Sequence, residues 1–495
     1  MEANSRPHES FSACRASHKI RMITMPFATN ASGVPAGSNE PQRCDLIVHN
    51  ATFLTVDADD RVVRTGALAV RDGRIVALDR QEKIFASYAS DQLFDAAGGA
   101  VHPGFIDAHV HVSQYTARSV LPLMEGTSVT MGHWKGELTP EDEYASARLA
   151  ALDYLQCGYT GFVDPGTVFE PDAVAAVANE AGVRIWLTDP YVADGGEALA
   201  ADLPELVSEN FLARWPRNTD EALKRLGGQL FRNRNPDSLV KAFVGLYGEA
   251  TDSPDLYKAA LGLARDRAVR FQEHLGYLPA FQLKREKALG QPLLRWFEKR
   301  GLLDSHVTFI HMNLVREDEI PLLGKVGVRV VWCPWGQLQM LGKEGAQARM
   351  AELHRAGVKV GIASDIPRVA DFDVLGTLAA SAAAASGRPA MPREILRMRT
   401  LGAAATIGAD GELGSLEVGK RADFVVRYPS ASVNFGFDPG LELGVIGGRH
   451  TVKAVYVGGR QVVDGGKVVM LDEDAVIAAA HRSARALASR TGLRA

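Results

Sequence analysis

Cysteine is scarce in this 495-residue chain, and its four examples (Cys14, Cys44, Cys157 and Cys333) are scattered with no Cys-x-x-Cys pair. That spacing excludes a disulfide framework and a thiolate zinc knuckle, and it makes a reducing cytoplasm the expected compartment. Long apolar runs are also missing; none approaches the roughly 18 residues a membrane helix needs. Charge of one sign is not in excess either. The formal net charge is −4, which gives no electrostatic reason to expect nucleic acid or a membrane as a partner. No Gly-rich phosphate loop and no Gly-x-Ser-x-Gly elbow occurs, so neither phosphate cradling nor a serine mechanism is indicated.

What is present suits a large folded chain. Hydrophobic residues make up 46% and charged residues 23%, ordinary values for a globular protein. Length alone allows about two to four domains. Residues 1–44 are rich in Ser, Ala, Asn, Pro and Arg without periodicity, and are expected to be a disordered or non-native extension, with Met22 or Met25 as alternative starts. Residues 45–97 alternate in short strands. The Asp72-Gly73 pair signals a hairpin into Arg74–Leu78. The same style returns at Ala422–Val426 and Val452–Gly459, so 45–97 and 411–470 are expected to form one small β-sandwich from both ends of the chain. A C-terminal helix is expected over 471–495.

Between them, residues 98–410 alternate apolar strand-like runs with amphipathic stretches. Candidate strands are the run before His109, then Gly161–Asp164, Val183–Leu187, Val240–Val244, Val269–His274, Val307–His311, Val328–Trp332 and Val358–Ile362. Eight such strands separated by helices such as Pro254–Asp266 and Glu317–Lys325 fit an α/β fold of the (β/α)8 TIM-barrel type better than an open sheet. Residues 195–238 exceed a normal connection and are expected to form a helical lid or a subunit contact.

The richest chemistry lies in Pro103-Gly104-Phe105-Ile106-Asp107-Ala108-His109-Val110-His111. Side chains two apart on a strand share a face, so His109 and His111 point the same way. His274, His311 and Asp365 end other candidate strands, and barrel strand ends converge on one mouth. Imidazoles with a carboxylate suit Zn²⁺, Fe²⁺, Co²⁺ or Mn²⁺, with zinc the first expectation. Asp107 faces the barrel interior as a hydrogen-bonding support. His102, His306, His354 and His450 show no such arrangement.

Together with Gly158–Asp164, His311–Ile320, Gly361–Asp365 and Gly414–Phe424, that stretch resembles the amidohydrolase superfamily over nearly all of residues 45–470. Within it the chain resembles the one-metal branch, which holds cytosine, guanine and triazine deaminases or chlorohydrolases alongside phenylurea and thiocarbamate hydrolases. The resemblance implies one divalent transition metal held by His109, His111, His274 and Asp365. It places His311 beside the metal as ligand or polarising group. A two-metal site would need a bridging lysine; Lys241 is the nearest candidate, but it begins its strand and reads as a solvated residue. A homo-oligomer is a further expectation of the resemblance.

One departure bears on the reaction. The aminohydrolases resembled here carry a glutamate three residues after the third histidine, where this chain has Tyr277. Glu273 faces away from His274, whereas Gln272 shares its face and is expected to point into the mouth. Trp332-Cys333-Pro334-Trp335 stands where those relatives end in Ser-Asn. Trp335 is expected to floor an apolar pocket, while Trp332 packs in the wall. Tyr115, His133 and Trp134 follow the first strand and are further lining candidates. The expected substrate-binding side chains are thus Gln272, Tyr277, Trp335 and His133, with Asp365 and His311 catalytic. The expected activity is metal-dependent hydrolysis of a C–N bond in a small apolar amide, urea or carbamate by a metal-bound hydroxide, with Asp365 ferrying the proton. The alternatives are deamination of an aromatic heterocycle and a non-enzymatic scaffold.

Overall fold

The computed structural model describes residues 40–493 apart from 125, 249–250, 344–345, 347–348, 368–371, 430–437, 439 and 446. The expected extension over 1–44, with Met22 and Met25, lies almost wholly outside the described residues. Pro41 onward forms one compact unit.

Parallel strands run in chain order through two sheets. The first holds Phe105–Asp107, Tyr159–Val163, Arg184–Leu187 and Val240–Ala242; the second holds Val244–Gly248, Phe271–Leu275, Val307–His311, Arg329–Trp332 and Lys359–Ile362. All neighbouring pairs are parallel. The sheets meet at Phe243, whose N–H donates to Leu187 O, so the two stretches around it act as one bent strand. They meet again where Ala108 N–H donates to Ile362 O and Val110 bridges Asp365. Inside this circuit Ile106, Val163, Trp186, Phe243, Ile310 and Val331 form one apolar layer.

Helices fill the intervals for reasons visible in their sequences. Thr139 caps Pro140–Gln156 by accepting from Asp142 N, with proline at the first helical position. Ser253 caps Pro254–Arg267 in the same way. The last helix, Glu473–Thr491, starts on an Asp472 cap and ends at Gly492 in the left-handed region.

A nine-stranded sheet takes strands from both ends of the chain, with Phe424–Arg427 pairing Ala100–Pro103 antiparallel at its centre. The expected hairpin forms, with Asp72 at φ 51° and Gly73 at φ 70°, as a two-residue turn of the favoured twist demands. The apolar run before His109 is divided between two sheets. Ala100–Pro103 belongs to the nine-stranded sheet, and Phe105–Asp107 begins the parallel series. Gly104 is the joint, and a Cβ there would stand 2.2 Å from the Thr160 side chain.

Residues 195–238 form short helices, including Gly196–Asp202, Glu209–Leu212 and Thr219–Arg225. Their aromatic side chains Phe211 and Trp215 are buried with Tyr191 inside the same chain. Among the described residues no helix is long and apolar enough to cross a membrane.

Gly104→Ala should cost about 1–3 kcal/mol of stability by overpacking, read as a lower urea midpoint. The double variant Gly104→Ala with Thr160→Gly should recover most of that loss.

Candidate metal centre

Five polar side chains from the ends of four parallel strands converge in a dry pocket. His109 Nε2 lies 3.1 Å from His111 Nε2. Asp365 Oδ1 stands 3.1 Å from His111 Nε2 and 3.6 Å from His109 Nε2. The His274 ring centroid is 4.8 Å from that of His109 and 5.5 Å from that of His311. One donor atom each from His109, His274 and His311 falls within a 4.8 Å group, as does one each from His109, His111 and Asp365. All five residues are buried, none more than 6% exposed.

These separations suit a cation. Bonds of 2.0–2.1 Å in a tetrahedron give donor–donor edges of about 3.3 Å, close to the 3.1 and 3.6 Å measured here. The imidazoles are also turned to offer lone pairs inward. His274 Nδ1 lies 2.6 Å from Tyr247 O, and its proton goes there, leaving Nε2 for the centre. The Gln114 amide lies 3.1 Å from His111 Nδ1; an Nε2 lone pair on His111 requires that amide to present its oxygen to the Nδ1–H, and amide orientation is set by the hydrogen-bond network. Unprotonated nitrogens this close repel one another unless a positive charge sits between them.

Electrostatics keep the donors in binding form. Burial pushes His274 well below the usual imidazole range, and the neighbouring histidines push the same way. Burial lowers His109 against the opposing pull of Asp365. His311 is pushed down to about 3, so its ring is neutral near pH 7. Burial alone would raise the Asp365 carboxyl, but its contacts with His109 and His111 and the field of His311 hold it well below the usual range.

The backbone here is strained in order to aim these groups. His311, Met312 and Asp365 adopt φ of 76°, 52° and 64°, a region that costs non-glycine residues about 1–3 kcal/mol each. Hydrogen bonds hold them there: Met312 N–H donates to Leu275 O at 2.8 Å, and Asp365 N–H to His109 O at 2.9 Å. Asp107 supports backbone rather than an imidazole. Its carboxylate accepts from His109 N–H and Ser364 N–H, each at 3.1 Å, and from Tyr154 O–H at 2.7 Å.

The sequence-predicted residues divide. His109, His111, His274, His311 and Asp365 come together. The Tyr277 ring lies 4.6 Å from that of His311. Trp335 is half-buried on the helix Pro334–Met340, next to Gly336. A Cβ on Gly336 would stand 3.5 Å from Tyr277 Cε2, 3.6 Å from Asp365 Oδ2 and 3.8 Å from His311 Nδ1. Gly336 therefore leaves a methyl-sized gap bordered by all three groups. Trp332 packs in the wall, its indole N–H donating to Gln337.

Two expectations change. Gln272 turns into the interior layer one inward-facing step before His274, because its amide donates to Thr406 O at 3.0 Å instead of reaching the mouth. His133 is exposed; its Nδ1 accepts from Thr130 N–H at 3.2 Å and closes a capping box on Met131–Gly136. Trp134 is buried among Val120, Met124 and Leu487, and Tyr115 donates to Asp153 at 2.6 Å. Lys241 donates to Asn235 O at 2.5 Å, and its ammonium lines a cavity of about 470 Å³ with Arg184, Arg270 and His306, none of them a member of the histidine cluster. His102 is a satisfied interior residue, with Nδ1 2.7 Å from Pro103 O and Nε2 accepting from Arg427.

Sequence reasoning missed Lys135, Cys333 and Gly336. Lys135 is 3% exposed on Met131–Gly136; burial pushes its ammonium down to about 8, opposed by the charge of Asp365. Burial drives the Cys333 thiol well up, and the carboxylates of Asp365 and Asp107 add to this, so it stays protonated. The spacing of Lys135 from His133 and Trp134 carried no signal, since a helix turns successive residues to different sides.

The amidohydrolase family pattern matches residues 100–462. A curated relative from Desulforudis audaxviator, a 5-methylthioadenosine/S-adenosylhomocysteine deaminase, is 29% identical over 456 residues, spanning 89% of this chain and 99% of its own length. An adenosine deaminase from Xanthomonas campestris, crystallised with zinc, superposes with a TM-score of 0.77 at 23% identity, covering 91% of this chain and all of its own. An atrazine chlorohydrolase variant from Arthrobacter aurescens, crystallised with zinc and atraton, gives 0.73 at 23% identity over 89% of this chain and all of its own.

Replacing His274 with Ala should reduce bound metal measured by plasma mass spectrometry. Asp107→Asn should weaken metal affinity about 10–100-fold in a chelator competition, through the ligand-bearing backbone rather than a lost donor.

Proposed function

Because the chain belongs to the amidohydrolase family, matched across residues 100–462, we propose that it removes the amino group of an aromatic heterocycle by hydrolysis at a single metal ion. It is a metal-dependent amidohydrolase acting on a small molecule. The observation that carries the finer reading is the near full-length similarity to deaminases. This inverts the order expected from the sequence, which put amide, urea or carbamate cleavage first on the strength of Tyr277. The eight strand segments are read as a closed (β/α)8 barrel and the nine-stranded sheet as the flanking β-sandwich.

His109, His111, His274 and Asp365 are proposed to hold the ion, with zinc favoured by a tetrahedral nitrogen and oxygen set. A bound divalent metal supplies Lewis acidity and brings the pKa of a water to about 7. Asp365 divides its labour between two oxygens: Oδ1 faces the histidines and Oδ2 faces the gap at Gly336. Oδ2 takes a proton from the attacking water and passes it to the departing amine. His311 is neutral, and its Nδ1 has no partner among the described residues while facing the same gap. It donates a hydrogen bond to charge developing on the reacting centre. Tyr277 flanks the gap and shapes it.

A second reading, cleavage of an amide, urea or carbamate, is favoured by one observation. Tyr277 replaces the carboxylic acid that the deaminases resembled here use for ring protonation.

An amine-release screen separates the two. Ammonia from 5-methylthioadenosine or an aminotriazine supports deamination; aniline from phenylureas or anilides, without ammonia from rings, moves the assignment to the second reading. Chelation should abolish turnover and added zinc should restore it. His311→Ala should lower turnover about 10²–10³-fold with metal content retained; loss of metal in that variant would make His311 a ligand.

A further inference from the structure

Lys135 is the one lysine in the buried class among the described residues. Its helix, Met131–Gly136, follows the first parallel strand. Its Nζ stands 5.2 Å from the Phe211 ring centroid. No hydrogen bond or ion pair reaches its ammonium among the described residues. Phe211 belongs to an aromatic wall: its ring lies 5.3 Å from Trp215, Trp215 lies 4.9 Å from Tyr247, and Tyr247 lies 5.5 Å from His274. The wall thus runs from the histidine cluster to the lysine. Among the described residues Asp365 is the charged group whose field Lys135 feels.

An isolated buried ammonium is expensive, costing several kcal/mol even after relaxation. The cation–π contact with Phe211 offsets only part of that. Among the described residues Asp365 is the available counter-charge, and a metal ion at the histidine cluster would claim it. The ammonium would then face a centre of net positive charge, with three neutral imidazoles and one carboxylate around a divalent ion. Such a geometry calls for an anion between the two.

We infer that Lys135 binds an anionic group of the substrate, a carboxylate, and so selects for amine-bearing molecules that carry an acid. This rests on the proposed function for where the reacting C–N bond sits, at the gap beside Asp365 and His311. The carboxylate pairs with Lys135 while the aromatic wall covers the apolar body between the two ends. An ammonium–carboxylate hydrogen bond in a dry site is worth about 1.5–3 kcal/mol, a 10–100-fold effect on binding.

Calorimetry on the metal-loaded enzyme tests this, with benzoate as the acid probe and benzamide as its neutral counterpart. Lys135→Met should weaken benzoate at least tenfold and leave benzamide within twofold, with Lys135→Arg recovering part of the loss. No benzoate binding to the parent enzyme, an unchanged benzoate affinity in Lys135→Met, or an equal change for both probes overturns the inference. The melting temperature of each variant shows that the fold survives. Kinetics supply a second readout on S-adenosylhomocysteine, which has a carboxylate, and 5-methylthioadenosine, which has none. Lys135→Met should raise KM for the first 10–100-fold with kcat little altered, and leave the second unchanged; an equal loss on both counts against Lys135. If neither compound releases ammonia in the parent enzyme, these two adenosine derivatives are excluded as substrates while the benzoate result still decides the role of Lys135.

Discussion

The pairing of Asp365 with the first parallel strand is the constraint on which the site rests. Asp365 gives its N–H to His109 O and takes that of His111, so the last strand of the series is fastened to the first at the very residues that carry the donors. Asp107 tightens the same seam, its carboxylate accepting N–H groups from His109 on one side and Ser364 on the other. With both ends secured, the left-handed backbone at His311 and Asp365 is held against its own preference, and the side chains aim at one point. A loose seam would let each strand relax and scatter the donors by the ångström that separates coordination from mere proximity.

Burial does the chemical preparation. Water is excluded, so the imidazoles stay neutral and the Asp365 carboxylate stays charged through its histidine contacts. The result is a set of nitrogen lone pairs and one negative oxygen with no proton among them, which is what a transition-metal ion selects. On the far side of Asp365 the missing side chain of Gly336 leaves a methyl-sized space, edged by His311 and Tyr277. The proposed mechanism accordingly assigns metal-facing and substrate-facing functions to the two oxygens of one carboxylate.

The surroundings also show how a shared scaffold diverges. A ring of donors common to a family says little about what enters the mouth, because function resides in the side chains around it. Here those are Tyr277 in the place of an acid, the aromatic wall of Phe211, Trp215 and Tyr247, and the buried Lys135. None of the three belongs to the group of candidate metal donors. On the proposed reading, each bears on the shape, polarity or charge of the molecule admitted.

Much of this was legible in the sequence because it depends on local period. Alternation placed His109 and His111 on one face, apolar runs located the strands within a few residues, and the helical stretches at Pro254–Asp266 and after 471 were legible in their pattern. The joining of 45–97 with the region after 411 is expected from matching strand style, and the nine-stranded sheet contains strands from both stretches, linked through Ala100–Pro103. What local pattern could not tell was which neighbour a side chain would find. Gln272 has the right face by alternation, yet Thr406 O lies beneath it and takes its amide. His133 looked free to line a pocket, but the nearby Thr130 drew it into a helix cap. Lys135 gave no signal in the sequence, and its burial comes from packing that sets its ammonium near the Phe211 ring. Chain period thus determined the elements and the donor residue types on its own. The inward depth of each side chain, the gap at Gly336 and the isolation of one ammonium were decided by tertiary structure, because they arise from contacts between segments that sequence spacing does not relate.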